Sequence, residues 1–135
     1  MKNIDEEEQL KMALELAEAR NELHKLMKRV VKSAKIGRQK KEPDDDIDLD
    51  IGDGTLSSCG RYEQVRFFPK DSKKYRYNEL QIDDCGEVIR DLISEIKSRF
   101  EEFQEKKKKY PLEHIKGKKK FAMEIFGRSL GHIIE

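Results

Sequence analysis

The chain has 135 residues, of which 42% are charged and 36% hydrophobic, and its formal net charge is +1. A chain of this length accommodates one domain of roughly 100 to 150 residues with an appendage, and the low apolar content excludes a large single core. No apolar run approaches the roughly 18 residues that a membrane span requires, and no secretory signal is evident. We therefore expect a cytoplasmic protein in a reducing compartment.

The chain begins with a predicted helix over about residues 4–36. Acids crowd its start and lysines its end, which matches the helix dipole, and Gly37 is a suitable stop. Apolar residues along the helix keep a four-three spacing that only Arg20 interrupts: Ala13, Leu16, Leu23, Met27, Val30 and Ala34. Such a seam is typical of a coiled coil. It predicts a homo-oligomer that forms through the N-terminal helix.

The start of this helix resembles a ubiquitin-interacting motif over residues 6–17. Three glutamates at residues 6–8 precede the hydrophobic Leu10, and Ala13 follows three places later. That family places a serine four positions after the alanine, where this chain has Ala17. The resemblance implies a ubiquitin-binding adaptor that acts through the N-terminal helix, and an ordinary apolar seam is the competing interpretation.

Residues 38–58 change abruptly from basic to acidic and contain proline and glycine breakers, so we interpret them as a linker. Their aspartates resemble a calcium loop, but Ile51 stands where the sharp turn needs glycine, and we expect no bound metal. Ile47, Leu49 and Ile51 alternate with aspartates, which leaves an edge strand open as an alternative.

Residues 62–68 and 74–82 are rich in aromatic and β-branched side chains and predict a β-hairpin. Residues 83–110 carry an apolar stripe at helical spacing and predict a central helix that ends before Pro111. A hairpin alone is marginally stable in water, so we expect this helix to support it. Leu92, Ile96 and Phe100 should then face the hairpin.

The last apolar segment, residues 121–134, is expected to close the core as a helix, with a partner-binding or membrane-surface helix as the alternative. Together the elements predict an α+β protein in three parts. These are an N-terminal amphipathic helix at residues 1–37, a basic-to-acidic linker at residues 38–58, and a small ββαα domain at residues 59–135, in which the hairpin packs on the central helix.

Basic and aromatic side chains of the hairpin, together with two lysine clusters, are candidates for holding a polyanion. They are Arg66, Arg76, Tyr75, Tyr77, Lys106, Lys107, Lys108, Lys109, Lys118, Lys119 and Lys120. Clustered lysines attract any polyanion, so we expect affinity for phosphates without recognition of bases.

No pattern in the chain is typical of a catalytic, cofactor or metal site. His24, His114 and His132 lie on separate predicted elements, and Cys59 and Cys85 do not match a zinc spacing. We therefore expect a non-enzymatic interaction or regulatory protein that binds a macromolecule, most directly a protein, through charged surfaces. Its size and charge are similar to those of small regulators or inhibitors encoded by phages and mobile elements. The alternatives are nucleic-acid binding through the hairpin and lysine clusters, and the ubiquitin-binding adaptor.

Overall fold

In the computed structural model, which describes residues 5–40, 45–60, 64–71, 79–82 and 86–134, a long helix precedes an antiparallel sheet and further helices. The helices are α1 (Glu6–Ala34), α2 (Gly86–Lys109), α3 (Pro111–Lys116), α4 (Lys118–Phe126) and α5 (Gly131–Ile134). The strands are β1 (Gly37–Lys40), β2 (Asp46–Asp50), β3 (Gly54–Cys59), β4 (Gln64–Pro69) and β5 (Leu80–Gln81). The α+β class is confirmed.

The five strands form an antiparallel meander in the order β1-β2-β3-β4-β5. Side chains alternate along β2, where Ile47 and Leu49 are fully buried and the aspartates on either side of each are only half-buried. The interpretation of residues 38–58 as a linker is therefore wrong in structural terms, because they supply most of β1 and β3 and all of β2. β2 is an interior strand, between β1 and β3, whereas its alternation alone predicted an edge strand at most.

Helix α1 packs on its own sheet and on α2, so it is not a separate arm along most of its length. Of the predicted oligomerisation residues, Leu23, Met27, Val30 and Ala34 are buried in the core, Leu16 is half-buried and Ala13 is exposed. Burial inside the same chain removes the exposed seam on which the prediction of a partner helix rested. Self-association stays a prediction, with only the first turns of α1 accessible to support it.

The apolar stripe of α2 is buried, as predicted: Leu92 and Ile96 are fully covered and Phe100 is 4% exposed. The prediction that the hairpin covers this stripe is wrong at Phe100. The Arg29 guanidinium of α1 lies 5.4 Å from the centre of the Phe100 ring, and α2 packs chiefly against α1 and α4. α1 therefore takes the place that sequence reasoning gave to the hairpin.

The C-terminal apolar segment closes the core, as expected, with Phe121 and Phe126 among its buried residues. It does so as two helices, α4 and α5, separated by residues 127–130, and not as the single helix that was predicted. Arg99 of α2 is also buried, and its guanidinium donates to the carbonyls of Phe126 at 2.9 Å, Arg128 at 2.8 Å and Ser129 at 3.3 Å. These carbonyls lie at the end of α4, where a helix lacks internal donors. Arg99 thus fixes the far end of α4 to α2.

Candidate polyanion-binding surface

The chain reverses between α2 and α4 at residues 106–120, a segment that we call the basic corner. Pro111 occupies the first position of α3, where its missing N–H costs nothing, and it forces the preceding helix to end. Gly117 separates α3 from α4: its N–H donates to the Glu113 carbonyl at 3.3 Å, and its carbonyl accepts from Phe121 at 2.9 Å. Pro111 and Gly117 therefore bring the end of α2, the short helix α3 and the start of α4 around one point.

An aromatic contact anchors this corner to the core. The centre of the His114 ring lies 5.8 Å from that of Phe103 and 5.4 Å from that of Phe121, in edge-to-face geometries of 71° and 85°. Both phenylalanines are buried, whereas α3 itself contains no buried residue. Burial, followed by the charges on Lys107 and Lys118, lowers the pKa of His114 from its ordinary value of 6.5, so its imidazole is neutral at pH 7. His114 is the residue that attaches α3 to the core.

The two lysine clusters meet beside this imidazole. The His114 ring contacts Phe103 of α2 and Phe121 of α4. Lys107 and Lys118 lie one helical turn from these two phenylalanines on the same helix faces, and the charges of both lysines lower the His114 pKa. Residues 106–120 contain eight lysines, all exposed, against one acid, Glu113. Lys106 also forms an ion pair with Glu102 at 3.4 Å. The fold therefore joins two sequence-separated clusters into one positive surface.

The same corner exposes apolar side chains. Leu112 is 71% exposed and Ile115 is 66% exposed, the highest values among the large hydrophobic residues that the structure describes. Three positions apart on α3, they share one face. Tyr110 is 39% exposed, and the ammonium of Lys109 lies 5.5 Å from the centre of its ring. The positively charged corner therefore also exposes apolar side chains, on the segment between its two lysine clusters.

The hairpin candidates do not join this surface in the part of the chain that the structure describes. Arg66 pairs with Glu79 at 3.1 Å and donates to the side chain of Gln64 at 2.8 Å, so its charge is already offset. Arg76, Tyr75 and Tyr77 lie outside the described residues.

Sequence reasoning missed a polar network that ties α1 to the sheet. His24 Nδ1 lies 2.7 Å from Ser58 Oγ, and His24 Nε2 lies 3.2 Å from Asp45 Oδ2. The Lys28 ammonium lies 2.5 Å from the same carboxylate oxygen, and its hydrogen bond is the main reason that the pKa of Asp45 falls to about 2. An ionised carboxylate only accepts, so His24 Nε2 donates the hydrogen bond to Asp45.

The Ser58, His24 and Asp45 side chains have the order of a nucleophile triad, and Ser58 and His24 border a cavity of about 300 Å³. Two features favour a structural role. Ser58 is 3% exposed and paired on both sides within the sheet, and Lys28 already neutralises the carboxylate that would stabilise an imidazolium. No sequence signal indicated this network, because its members are 21 and 34 positions apart on different elements.

Neither a metal site nor a membrane span emerges from the described ranges. No three of their His, Cys, Asp and Glu side chains are grouped so as to hold an ion. None of their helices combines the length and the apolar character that crossing a bilayer demands.

The chain matches no protein-family model, no curated protein and no solved structure. Only the chemistry of its own surfaces therefore bears on its function.

Proposed function

We propose that this chain is a non-enzymatic interaction protein whose basic corner binds a polyanionic surface. The observation that supports the proposal is the contact of the His114 ring with both α2 and α4, which brings the lysine clusters of these two helices together. Each lysine there is exposed, whereas Arg66 of the hairpin is engaged with Glu79. The corner therefore supplies concentrated positive charge that has few acidic partners in its own chain.

Lysine chemistry indicates what such a surface recognises. An ammonium group is a compact point charge without the planar fork with which arginine reads guanine or grips a phosphate. The corner contains no arginine between residues 106 and 120. Affinity should then follow the density of negative charge on the partner and depend little on its sequence.

The test compares two triple variants with the same change in charge. Lys118→Glu, Lys119→Glu and Lys120→Glu reverse one half of the corner, while Lys11→Glu, Lys25→Glu and Lys32→Glu reverse exposed lysines of α1. Binding to DNA, RNA, polyphosphate and anionic vesicles is measured at several salt concentrations. Each lost phosphate contact on a nucleic acid flattens the slope of log K against log salt by roughly 0.7 to 0.9. The corner variant should lose roughly 2 to 3 units of slope, and the α1 variant none.

Two results would end the proposal: no affinity of the parent for any of these polyanions at low salt, or equal losses in the two variants. Equal losses would mean that net charge, and not the corner, controls binding. An acidic protein partner would bind at the same lysines with a weaker dependence on salt.

The acidic arm, residues 5–15 of the chain, is a second candidate surface. Each residue of this segment is exposed, and Leu10 is 62% exposed on the same side as Ala13. We propose that this face binds a protein groove, with ubiquitin as the partner that the motif resemblance implies. Leu10→Asp should then abolish calorimetric binding to ubiquitin, whereas Met12→Asp, on the opposite side of the helix, should not. Absence of binding by the parent would dismiss ubiquitin.

A further inference from the structure

We infer that the polyanion is the surface of an anionic membrane, on which the lysines contact lipid phosphates while Leu112 and Ile115 enter the interface. The inference rests on the proposed function, because it names the partner of the same basic corner. It is carried by the exposure of two apolar side chains on α3, the segment that connects the two lysine clusters.

The orientation of α3 is the reverse of that of a core helix. A helix of a globular protein normally turns its apolar side chains inward and its polar ones outward. Here the inward contact is the imidazole of His114, and Leu112 and Ile115 are the exposed side chains. Exposed apolar side chains with a polar surround mark a site of interaction with a protein or a membrane.

Charge complementarity selects the membrane. Clusters of four to eight basic residues beside an apolar segment are typical of binding to acidic lipids, because the ammonium groups reach the headgroups while the apolar side chains lie at the acyl boundary. The corner supplies eight lysines around the apolar pair. Tyr110, half-exposed at the start of α3, is of the type enriched at membrane interfaces.

A nucleic acid would leave the apolar pair without a role. Proteins that hold single strands stack bases on aromatic rings or on arginine, and those that read duplexes use hydrogen bonds in the grooves. Leu112 and Ile115 can do neither, and in the bound state they would stay in water. A bilayer covers both side chains, so it accounts for the whole corner.

The absence of tryptophan from the sequence allows a direct measurement of insertion. In a Leu112→Trp variant the indole would be the sole tryptophan and would report its own environment. Its emission should shift to the blue on addition of vesicles that contain phosphatidylserine, and should stay unchanged with phosphatidylcholine alone. A matched control, Leu14→Trp on the acidic arm, places the indole at another exposed leucine and should show no shift.

Affinity separates insertion from simple charge attraction. The double variant Leu112→Ser and Ile115→Ser should bind phosphatidylserine vesicles at least about tenfold more weakly, as burial of each side chain stabilises the bound state. Its affinity for polyphosphate should equal that of the parent, since every lysine remains. Glu113→Gln removes the acid within the corner and should strengthen vesicle binding about fivefold, the effect of one charge near an anionic surface.

Each result decides between the inference and the function on which it rests. Binding of the parent to polyphosphate or DNA but not to vesicles would overturn the membrane inference and leave polyanion binding intact. Equal vesicle affinities of the parent and the double serine variant would also overturn it. Binding to neither kind of polyanion would overturn both proposals.

Discussion

The acidic arm and the basic corner expose large apolar side chains to a similar degree but differ in charge and in attachment. Leu10, Met12 and Leu14 of the arm are 62%, 59% and 57% exposed, close to the 71% and 66% of Leu112 and Ile115. Acids surround the first set and lysines the second. Exposure alone therefore does not distinguish the two surfaces, whereas the charge around their apolar side chains does.

Attachment distinguishes the two surfaces further. The arm is an extension of α1 that begins at Asp5, whose carboxylate caps the helix by accepting from Glu8 at 2.8 Å. An isolated helical segment of this length is marginal in water, so the arm can fray and adapt to a groove. The corner is held by His114 between two buried phenylalanines and presents a fixed shape. We expect an acidic helix that frays to suit a protein groove, and a fixed basic surface to suit an extended anionic one.

The largest effect should come from removing the anchor of the corner. Phe103 is 1% exposed and its ring contacts those of His114, Phe121 and Phe126. Phe103→Ala should lower the free energy of unfolding by about 3 to 5 kcal/mol, the usual range for a buried aromatic residue. Leu10→Ala on the arm, in contrast, should change it by less than about 0.5 kcal/mol. Urea denaturation measures the free energy of unfolding of both variants. Equal losses would contradict the distinction between the anchored corner and the unanchored arm.

A smaller loss should follow from releasing the far end of α4. Arg99→Met leaves the carbonyls that Arg99 satisfies without a donor, which should cost about 2 to 4 kcal/mol. Arg128→Met breaks only an exposed pair with Glu102 and should cost about 0 to 1 kcal/mol. If the two variants melted alike, Arg99 would not be what holds α4 on α2.

The corner, unlike the arm, should make stability depend on pH through His114. Because its folded-state pKa lies below 6.5, the unfolded chain binds a proton first as pH falls. The stabilisation from a neutral imidazole is complete above pH 6.5 and is lost as pH falls through the lowered pKa. His114→Phe should flatten this part of the curve of unfolding free energy against pH. His132→Phe, at an exposed histidine of α5, is the control and should retain it.

Local sequence patterns predicted the secondary-structure elements better than they predicted which elements pack against each other. The stripe on α2 and the apolar C-terminal segment were correctly assigned to the core, because each repeats apolar residues at helical spacing. The four-three spacing of α1 did not reveal its cover, since Leu23 and Val30 are buried within their own chain, where α1 packs on α2 and on the sheet. An apolar helical face is covered equally well by the sheet of its own chain or by a helix of a second chain. The spacing of its apolar residues therefore does not predict which of the two covers it.

For the sheet, the sequence pattern failed to predict the strand itself. Aspartates at every second position of β2 suggested a solvated linker, although Ile47 and Leu49 between them are fully buried. A strand with one buried face needs apolar residues only at alternate positions, so a high acid content does not exclude it. The lysines of the basic corner were found by composition, but their meeting around His114 depends on a turn at Pro111 and a tertiary aromatic contact.

The smallest expected effect comes from comparing single glycine substitutions in the arm and in α2. Leu10→Gly in the arm and Lys97→Gly on α2 both place glycine at exposed helical sites. Glycine costs a helix about 1 kcal/mol, but this cost reaches the global free energy of unfolding only where the helix unfolds together with the core. Lys97→Gly should therefore lower that free energy by about 1 kcal/mol, and Leu10→Gly should leave it unchanged while speeding amide hydrogen exchange in residues 6–14. A full loss of about 1 kcal/mol in Leu10→Gly would show that the arm folds cooperatively with the rest of the chain, and its adaptability to a partner groove would have to be abandoned.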